Sequence, residues 1–151
     1  YAGPKSQLNF WFPIYDIDLN STFAIYPNYW NKPILNSSEN FDYEIWKKKF
    51  RFNADKHIKT DTRNHPLPLE VVDKSNEYRV DCNSGDLIVF SGSHLHGTIP
   101  NNSNKTRFSI DFRILSKELY KRNIGQNIDS KSTGSTIADF KNSINLLNYS
   151  D

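Results

Sequence analysis

Apolar and polar side chains alternate without interruption between Thr106 and Leu115. The apolar positions are Phe108, Ile110, Phe112 and Ile114, and the polar positions are Arg107, Ser109, Asp111 and Arg113. Successive side chains of a strand point to opposite faces, whereas a helix would require apolar residues every three or four positions. The segment is therefore predicted to be a β-strand with one apolar face, and a chain built around it has to form sheets.

Several other short segments are rich in aromatic and β-branched residues and are bounded by turn formers, a composition typical of strands. They are Gln7 to Tyr15, Thr22 to Tyr26, Leu69 to Val72, Tyr78 to Val80 and Leu87 to Phe90. The first two are predicted to pair antiparallel across a polar turn. The long insertion Asn31 to Pro68 lacks strand character, and such insertions are usually functional or loosely ordered. Short helices are predicted over Tyr43 to Phe52 and Thr136 to Leu147.

The turn formers from Pro100 to Asn104 predict that Leu95 to Ile99 folds back antiparallel onto Thr106 to Asp111. In that arrangement His96 lies opposite Arg107 or one pleat away, so the two side chains stand roughly 5 to 8 Å apart. An imidazole can bind a metal and a guanidinium can bind a carboxylate. A small dicarboxylate could therefore bridge a metal held by His96 and the side chain of Arg107.

One family shares this spacing, in which ten residues separate His96 from Arg107 and Ser109 follows. The stretch from Gly85 to Leu115 resembles the distal half of the iron(II)- and 2-oxoglutarate-dependent oxygenases, most closely the phytanoyl-CoA dioxygenase-like group. Weaker similarities lie in QLNFWFPIYDID, IYPNYW and NIDSKSTGSTIADF, which span Gln7 to Asp18, Ile25 to Trp30 and Asn127 to Phe140.

The resemblance implies a mainly β fold, the double-stranded β-helix (a cupin-like jelly roll), as a single domain over residues 1–151 with a helical or loop insertion and a C-terminal helix. It also implies that His96 binds Fe(II), and that Arg107 and Ser109 bind the distal carboxylate of 2-oxoglutarate. By position, Gln7 and Asn9 are candidates to contact the cosubstrate or to order the ligands. The weaker candidates for a substrate pocket are Trp11, Tyr15, Tyr26 and Trp30. The implied reaction is hydroxylation of a small molecule.

The chain departs from the family pattern at the metal. The family uses a His-x-Asp pair together with the distal histidine, and no His-x-Asp occurs among histidines 57, 65, 94 and 96. Because the chain also lacks Met and starts with Tyr1, we expect it to be an excerpt whose N-terminal strands and two metal ligands lie upstream, and which is inactive alone. His94 is expected to support the site or the structure, and His57 and His65 to be ordinary polar residues.

The composition limits the classes of binding partner that we expect. A net charge of +2 gives no sign of a nucleic-acid or membrane partner, so a small-molecule substrate is expected and the oligomeric state stays open. The basic run from Trp46 to Phe52 is predicted to be a solvated helix face with Trp46 and Phe50 docked. Cys82 is the single cysteine, which excludes a disulfide framework and favours the cytoplasm.

Two other functions fit the same residues. A non-oxidative cupin, either a sugar-nucleotide epimerase-like enzyme or a ligand-binding module, could use His96 as a structural or acid–base residue. A degenerate oxygenase fold kept for binding would lack His-x-Asp upstream as well. Dependence of turnover on 2-oxoglutarate distinguishes these functions from the oxygenase.

Overall fold

A computed structural model describes residues 3–51, 65–126 and 130–148 of the chain. The fold is mainly β. Its strands are β1 (Leu8–Pro13), β2 (Phe23–Ile25), β3 (Tyr78–Arg79), β4 (Ile88–Ser91), β5 (His96–Thr98) and β6 (Ser109–Ile114), and its helices are α1 (Tyr43–Phe50) and α2 (Lys117–Lys121). Two compact units are present. The first takes its described residues from 3–4, 34–51, 65–71 and 130–148, and the second from 5–33 and 72–126.

The second unit contains two antiparallel three-stranded sheets, with strand orders β4-β1-β6 and β3-β2-β5. In the first sheet the central strand is β1, where Phe10 lies opposite Val89 on one side and Phe112 on the other. In the second sheet the central strand is β2, where Ala24 lies opposite Arg79 and Gly97. The chain therefore passes repeatedly from one sheet to the other.

The hydrophobic core of this unit is formed by side chains from both sheets. Trp11 of β1 contacts Phe23 of β2 edge-on with ring centroids 4.9 Å apart, and Phe23 contacts Phe90 of β4 at 5.5 Å. The same cluster includes Ile17, Ile25, Val80 and Cys82. The alternation of β1 therefore directs Trp11 into the core, as a half-buried strand requires.

The opposite face of the β4-β1-β6 sheet is apolar but exposed. Phe10 and Phe112 stack on it with ring centroids 5.0 Å apart, and Phe112 keeps 43% of its surface accessible. Its other exposed apolar residues are Leu8, Val89, Ile110 and Ile114. A face of this kind usually marks a contact surface.

The predicted strand pairings are wrong, although most of the predicted strands are present. β1 and β2 lie in different sheets, and β5 pairs with β2 rather than with β6. The loop between β5 and β6 spans from one sheet to the other because its turn formers bond to the loop itself and to a distant turn. Asn101 Nδ2 donates to the Lys105 carbonyl, and the Asn102 N–H donates to the Asn20 carbonyl.

Two further predictions are wrong. Leu69 to Val72 forms no strand, because Leu69 donates one hydrogen bond to the Leu35 carbonyl and Val71 is 95% exposed. The helix predicted over Thr136 to Leu147 is reduced to a 3-10 turn at Thr136–Asp139. Asn142 accepts a local backbone hydrogen bond from Ile144, and Leu146 has a left-handed φ of 57°, so the helix does not continue.

The first unit confirms the helix predicted from residue 43. The N-cap of α1 is Asp42, whose side chain accepts a hydrogen bond from the Ile45 N–H. Trp46 packs against Phe41 and Tyr43, as predicted for the docked face. Asp139 accepts hydrogen bonds from Lys47 at 2.5 Å, from Arg51 at 2.6 Å and from Tyr43. The basic run is therefore partly ion-paired rather than wholly solvated.

None of the helices among the described residues is long and apolar enough to cross a membrane.

Candidate functional site

His96 points into the space between the two sheets of the second unit. It begins β5, where it lies opposite Ile25 of β2. Its ring contacts Phe90 of β4 edge-on, with ring centroids 4.9 Å apart. Because Phe90 lies in the other sheet and belongs to the core cluster that both sheets form, the imidazole faces the interior.

One ring nitrogen of His96 is held by the backbone. Its Nδ1 lies 2.7 Å from the carbonyl oxygen of His94. Because a carbonyl oxygen only accepts, this contact assigns the proton to Nδ1 and leaves Nε2 with a lone pair. This arrangement is common for metal-binding histidines, where the second hydrogen bond fixes the tautomer and the ring orientation.

The surroundings of His96 favour the neutral ring. Desolvation lowers its pKa, the hydrogen bond with His94 opposes the shift, and the charge of Arg113 adds to the lowering. The side chain nevertheless remains exposed. This combination is expected of a group that lines an open concavity, where protein atoms surround the ring and water still reaches it. A neutral imidazole is the form that binds a metal.

Arg107 lies just before β6 and also faces the core. Its guanidinium carbon stands 5.8 Å from the ring centre of Trp11. Its Nη1 is buried and has no hydrogen-bond partner among the described residues. Burial lowers the pKa of Arg107 and Tyr15 partly opposes that shift, but a guanidinium stays charged at any physiological pH.

A cavity of about 510 Å³ opens beside Arg107. Its lining includes Thr98 and Ile99 of the β5 end, together with Ser21, Thr22, Asn101 and Lys105. His96 and Thr98 share one face of β5, two residues apart, which is roughly 7 Å along a strand. β5 therefore carries the His96 imidazole and also lines the cavity beside the Arg107 guanidinium.

A smaller cavity of about 230 Å³ also borders Arg107 and is lined by Tyr15, Asp18 and Lys105. The Oη of Tyr15 accepts a hydrogen bond from the Phe108 N–H at 3.2 Å. Tyr15 therefore stands next to the predicted carboxylate-binding residue.

The other predicted cosubstrate residues lie in the same unit. Ser109 is half-buried and pairs with Pro13. Gln7 and Asn9 are buried, and Gln7 Nε2 donates to Asn9 Oδ1 at 2.7 Å. Asn9 lies opposite Phe90, the residue that contacts His96. Its own amide nitrogen keeps hydrogens available for a ligand.

The predicted substrate-pocket aromatics occupy different environments. Trp11 is a core residue, and Tyr26 lies beside Glu77, where burial and then the negative charge of Glu77 raise the pKa of the phenol. Trp30 is 45% exposed and stacks on His94 with ring centroids 5.2 Å apart. Trp30 is thus the predicted pocket residue that contacts His94, whose carbonyl oxygen binds His96 Nδ1.

Of the remaining histidines, His65 lies near Trp46 in the first unit, with ring centroids 5.2 Å apart. His57 lies outside the described residues. The contact between the His94 carbonyl and His96, and the stack of Trp30 on His94, were not predicted from the sequence, because each depends on how a loop folds back.

In the part of the chain that the structure describes, no three His, Cys, Asp or Glu side chains are grouped closely enough to hold a metal. His96 can supply one ligand there. The buried Nη1 of Arg107 suits a carboxylate, so the described residues fit the cosubstrate better than they fit a complete metal centre.

No family model matches the chain, and no curated protein or solved structure matches it either.

Proposed function

We propose that these residues form the larger part of a jelly-roll domain of an iron(II)- and 2-oxoglutarate-dependent dioxygenase that hydroxylates a small molecule. The observation that carries the proposal is the buried Nη1 of Arg107, which has no acceptor among the described residues and lies beside a cavity that the strand of His96 also lines. Arg107 is half-buried, and a buried N–H donor without an acceptor is costly, so this guanidinium is expected to meet an anion.

The order of the strands supports the jelly roll. An eight-stranded jelly roll is a rolled antiparallel ribbon in which strand 3 pairs with strand 6 and strand 4 with strand 5. If β1 to β6 are counted as strands 3 to 8, the observed pair β1–β4 becomes 3–6 and β2–β3 becomes 4–5. The pairs β1–β6 and β2–β5 then join neighbouring turns of the roll.

The same numbering leaves places for strands 1 and 2. They would lie beside β6 and β5, and no strand pairs with those two edges among the residues described. Free edges are usually paired or protected in natural sheets. We therefore infer that a further segment of the protein supplies both strands, together with the two metal ligands that complement His96.

In this function His96 presents Nε2 to the metal, because its Nδ1 is occupied by the His94 carbonyl. Arg107 binds the distal carboxylate of the cosubstrate by charge-assisted hydrogen bonds, and the Ser109 hydroxyl adds one more. Asn9, held by Gln7, offers an amide N–H to the other end of the cosubstrate. In this proposal the three side chains together would hold both ends of one dicarboxylate.

With iron(II) bound, such a site would supply the reaction of oxygen with 2-oxoglutarate, in which one oxygen atom enters succinate as carbon dioxide leaves and the other enters the substrate as a hydroxyl group. The protein residues contribute position and shielding. Trp11 and Phe90 exclude water from the space between the sheets. Trp30, which stacks on His94, would border the substrate.

The experiment is release of succinate by the full protein that contains this chain. We expect succinate only when iron(II), 2-oxoglutarate and oxygen are all present, and none from His96→Ala. His65→Ala is the matched control, since that histidine lies in the first unit, and it should retain activity. Turnover of a substrate without 2-oxoglutarate would favour the non-oxidative cupin. Binding without any turnover would favour the degenerate fold.

A further inference from the structure

An exposed tryptophan stacks on the residue that orients His96. Trp30 and His94 lie nearly parallel, with an interplanar angle of 21° and ring centroids 5.2 Å apart. Trp30 is 45% exposed, so more than half of its surface is covered by its neighbours. Stacked aromatic pairs restrict both rings and favour one arrangement.

Trp30 is itself held in place. Its N–H donates to the Pro27 carbonyl and closes the 3-10 turn Pro27–Tyr29, and its carbonyl accepts a hydrogen bond from Gln126. The turn is anchored by Tyr29, which is buried and whose Oη accepts from the Asp73 N–H at 2.8 Å. The indole is therefore presented by a fixed backbone.

The backbone around His94 is held on both sides. The His94 N–H donates to the Ser91 carbonyl, and the Leu95 carbonyl accepts from the Tyr26 N–H. The turn is also closely packed at Gly92, where an added Cβ would stand 2.8 Å from Gln7 Nε2. Trp30 contacts the His94 ring, and His96 contacts the His94 carbonyl oxygen, so a single residue links the indole to the imidazole.

We propose that Trp30 is a positioning residue for His96. By stacking on His94 it holds the His94 carbonyl where that oxygen accepts from His96 Nδ1, so that Nε2 is presented to the metal. The role in metal binding rests on the function proposed above; the effect on the His96 tautomer does not.

The test is the tautomer of His96 in the metal-free full protein, measured by long-range ¹H–¹⁵N NMR on protein labelled at histidine. Wild type should show the Nδ1–H form. Trp30→Ala should shift His96 toward the Nε2–H form that an unrestrained histidine side chain prefers, and Trp30→Phe should restore the wild-type spectrum because it keeps a stacking ring. Tyr78→Ala, which removes an exposed aromatic ring from β3, is the control and should change nothing.

A second measurement is the affinity for Co(II), followed by its visible absorption. Loss of an outer hydrogen bond typically weakens metal binding about 10- to 100-fold, and we expect the lower end of that range for Trp30→Ala, with recovery in Trp30→Phe. An unchanged His96 tautomer in Trp30→Ala would overturn the positioning role. A shifted tautomer in Trp30→Ala, together with a Co(II) affinity equal to that of wild type in both Trp30→Ala and His96→Ala, would keep the contact and overturn the proposed metal function.

Discussion

Two arginines in this protein differ in whether their guanidinium groups have a carboxylate partner among the described residues. In the first unit, Arg51 donates to Asp139 at 2.6 Å, and Lys47 and Tyr43 bind the same carboxylate. In the second unit, Arg107 has a buried Nη1 that meets no acceptor among the described residues and a guanidinium that lies over Trp11. Both side chains are cations, but among the residues that the structure describes only Arg51 has a carboxylate partner.

This difference indicates a structural role for Arg51 and a ligand-binding role for Arg107. A cation paired with a carboxylate stabilises the fold and needs nothing further. A partly buried cation with an empty donor raises the free energy of the folded chain and is retained where a ligand satisfies it. By this reasoning Asp139 satisfies the charge of Arg51, whereas a bound dicarboxylate would satisfy that of Arg107. Replacing Asp139 should therefore lower the stability of the fold, and replacing Arg107 should lower the affinity for the ligand.

The largest expected effect is on cosubstrate binding. Arg107→Ala should weaken 2-oxoglutarate binding by roughly 2 to 3 kcal/mol, or about 30- to 150-fold, because a charged hydrogen-bond pair is lost. Isothermal titration of the anaerobic, metal-loaded full protein measures this change. Arg79→Ala is the control, since Arg79 is already paired with Glu77 at 2.8 Å, and it should bind as wild type does. Equal affinity of Arg107→Ala and wild type would remove Arg107 from its role.

The next effect is on stability. Asp139→Ala removes the common acceptor of Lys47, Arg51 and Tyr43, and should lower the free energy of unfolding by about 1 to 2 kcal/mol, a modest value because Lys47 and Arg51 remain partly exposed. Amide exchange of α1 reports this loss. Glu118→Ala removes an exposed pair with Arg122 and should cost under about 0.5 kcal/mol. If the two variants exchange alike, Asp139 does not anchor α1.

The smallest effect is on pH dependence. Burial tends to raise the pKa of Asp139, but the hydrogen bonds from Lys47, Tyr43 and Arg51 outweigh it, so the pKa in the folded protein is lowered. A lowered pKa means that the stabilisation is complete above the unfolded-state value near 3.9 and is lost as the pH falls through the folded-state value. Acid titration should therefore weaken α1 below about pH 4 in wild type. The Asp139→Asn variant should show a flatter profile there, and an identical profile would contradict this assignment.

The sequence predicts the strands better than their partners. Alternation identifies β6, and a run of aromatic and β-branched residues identifies β1, because both signals are local. It could not show that β1 lies between β4 and β6, since any strand with a matching face is an acceptable neighbour. The turn formers from Pro100 to Asn104 suggest a hairpin, but a loop that bonds to itself can equally cross between sheets.

In the candidate site too, local features are visible in the sequence and tertiary contacts are not. The residue types and spacing of His96 and Arg107 are visible in the sequence, and both side chains do face the interior of the second unit. Their predicted approach across one pair of strands is wrong, because β5 and β6 belong to different sheets. The carbonyl of His94 and the ring of Trp30 have no sequence signal, since any residue can supply a carbonyl and stacking depends on tertiary structure.

The central claim is that Arg107 binds the distal carboxylate of a 2-oxo diacid. The most direct measurement compares 2-oxoglutarate with 2-oxobutyrate, which has the same keto acid end and no second carboxylate, in wild type and in Arg107→Ala. We expect wild type to prefer 2-oxoglutarate by about 30- to 150-fold and the variant to bind both ligands equally weakly. A preference that survives in Arg107→Ala would contradict the claim.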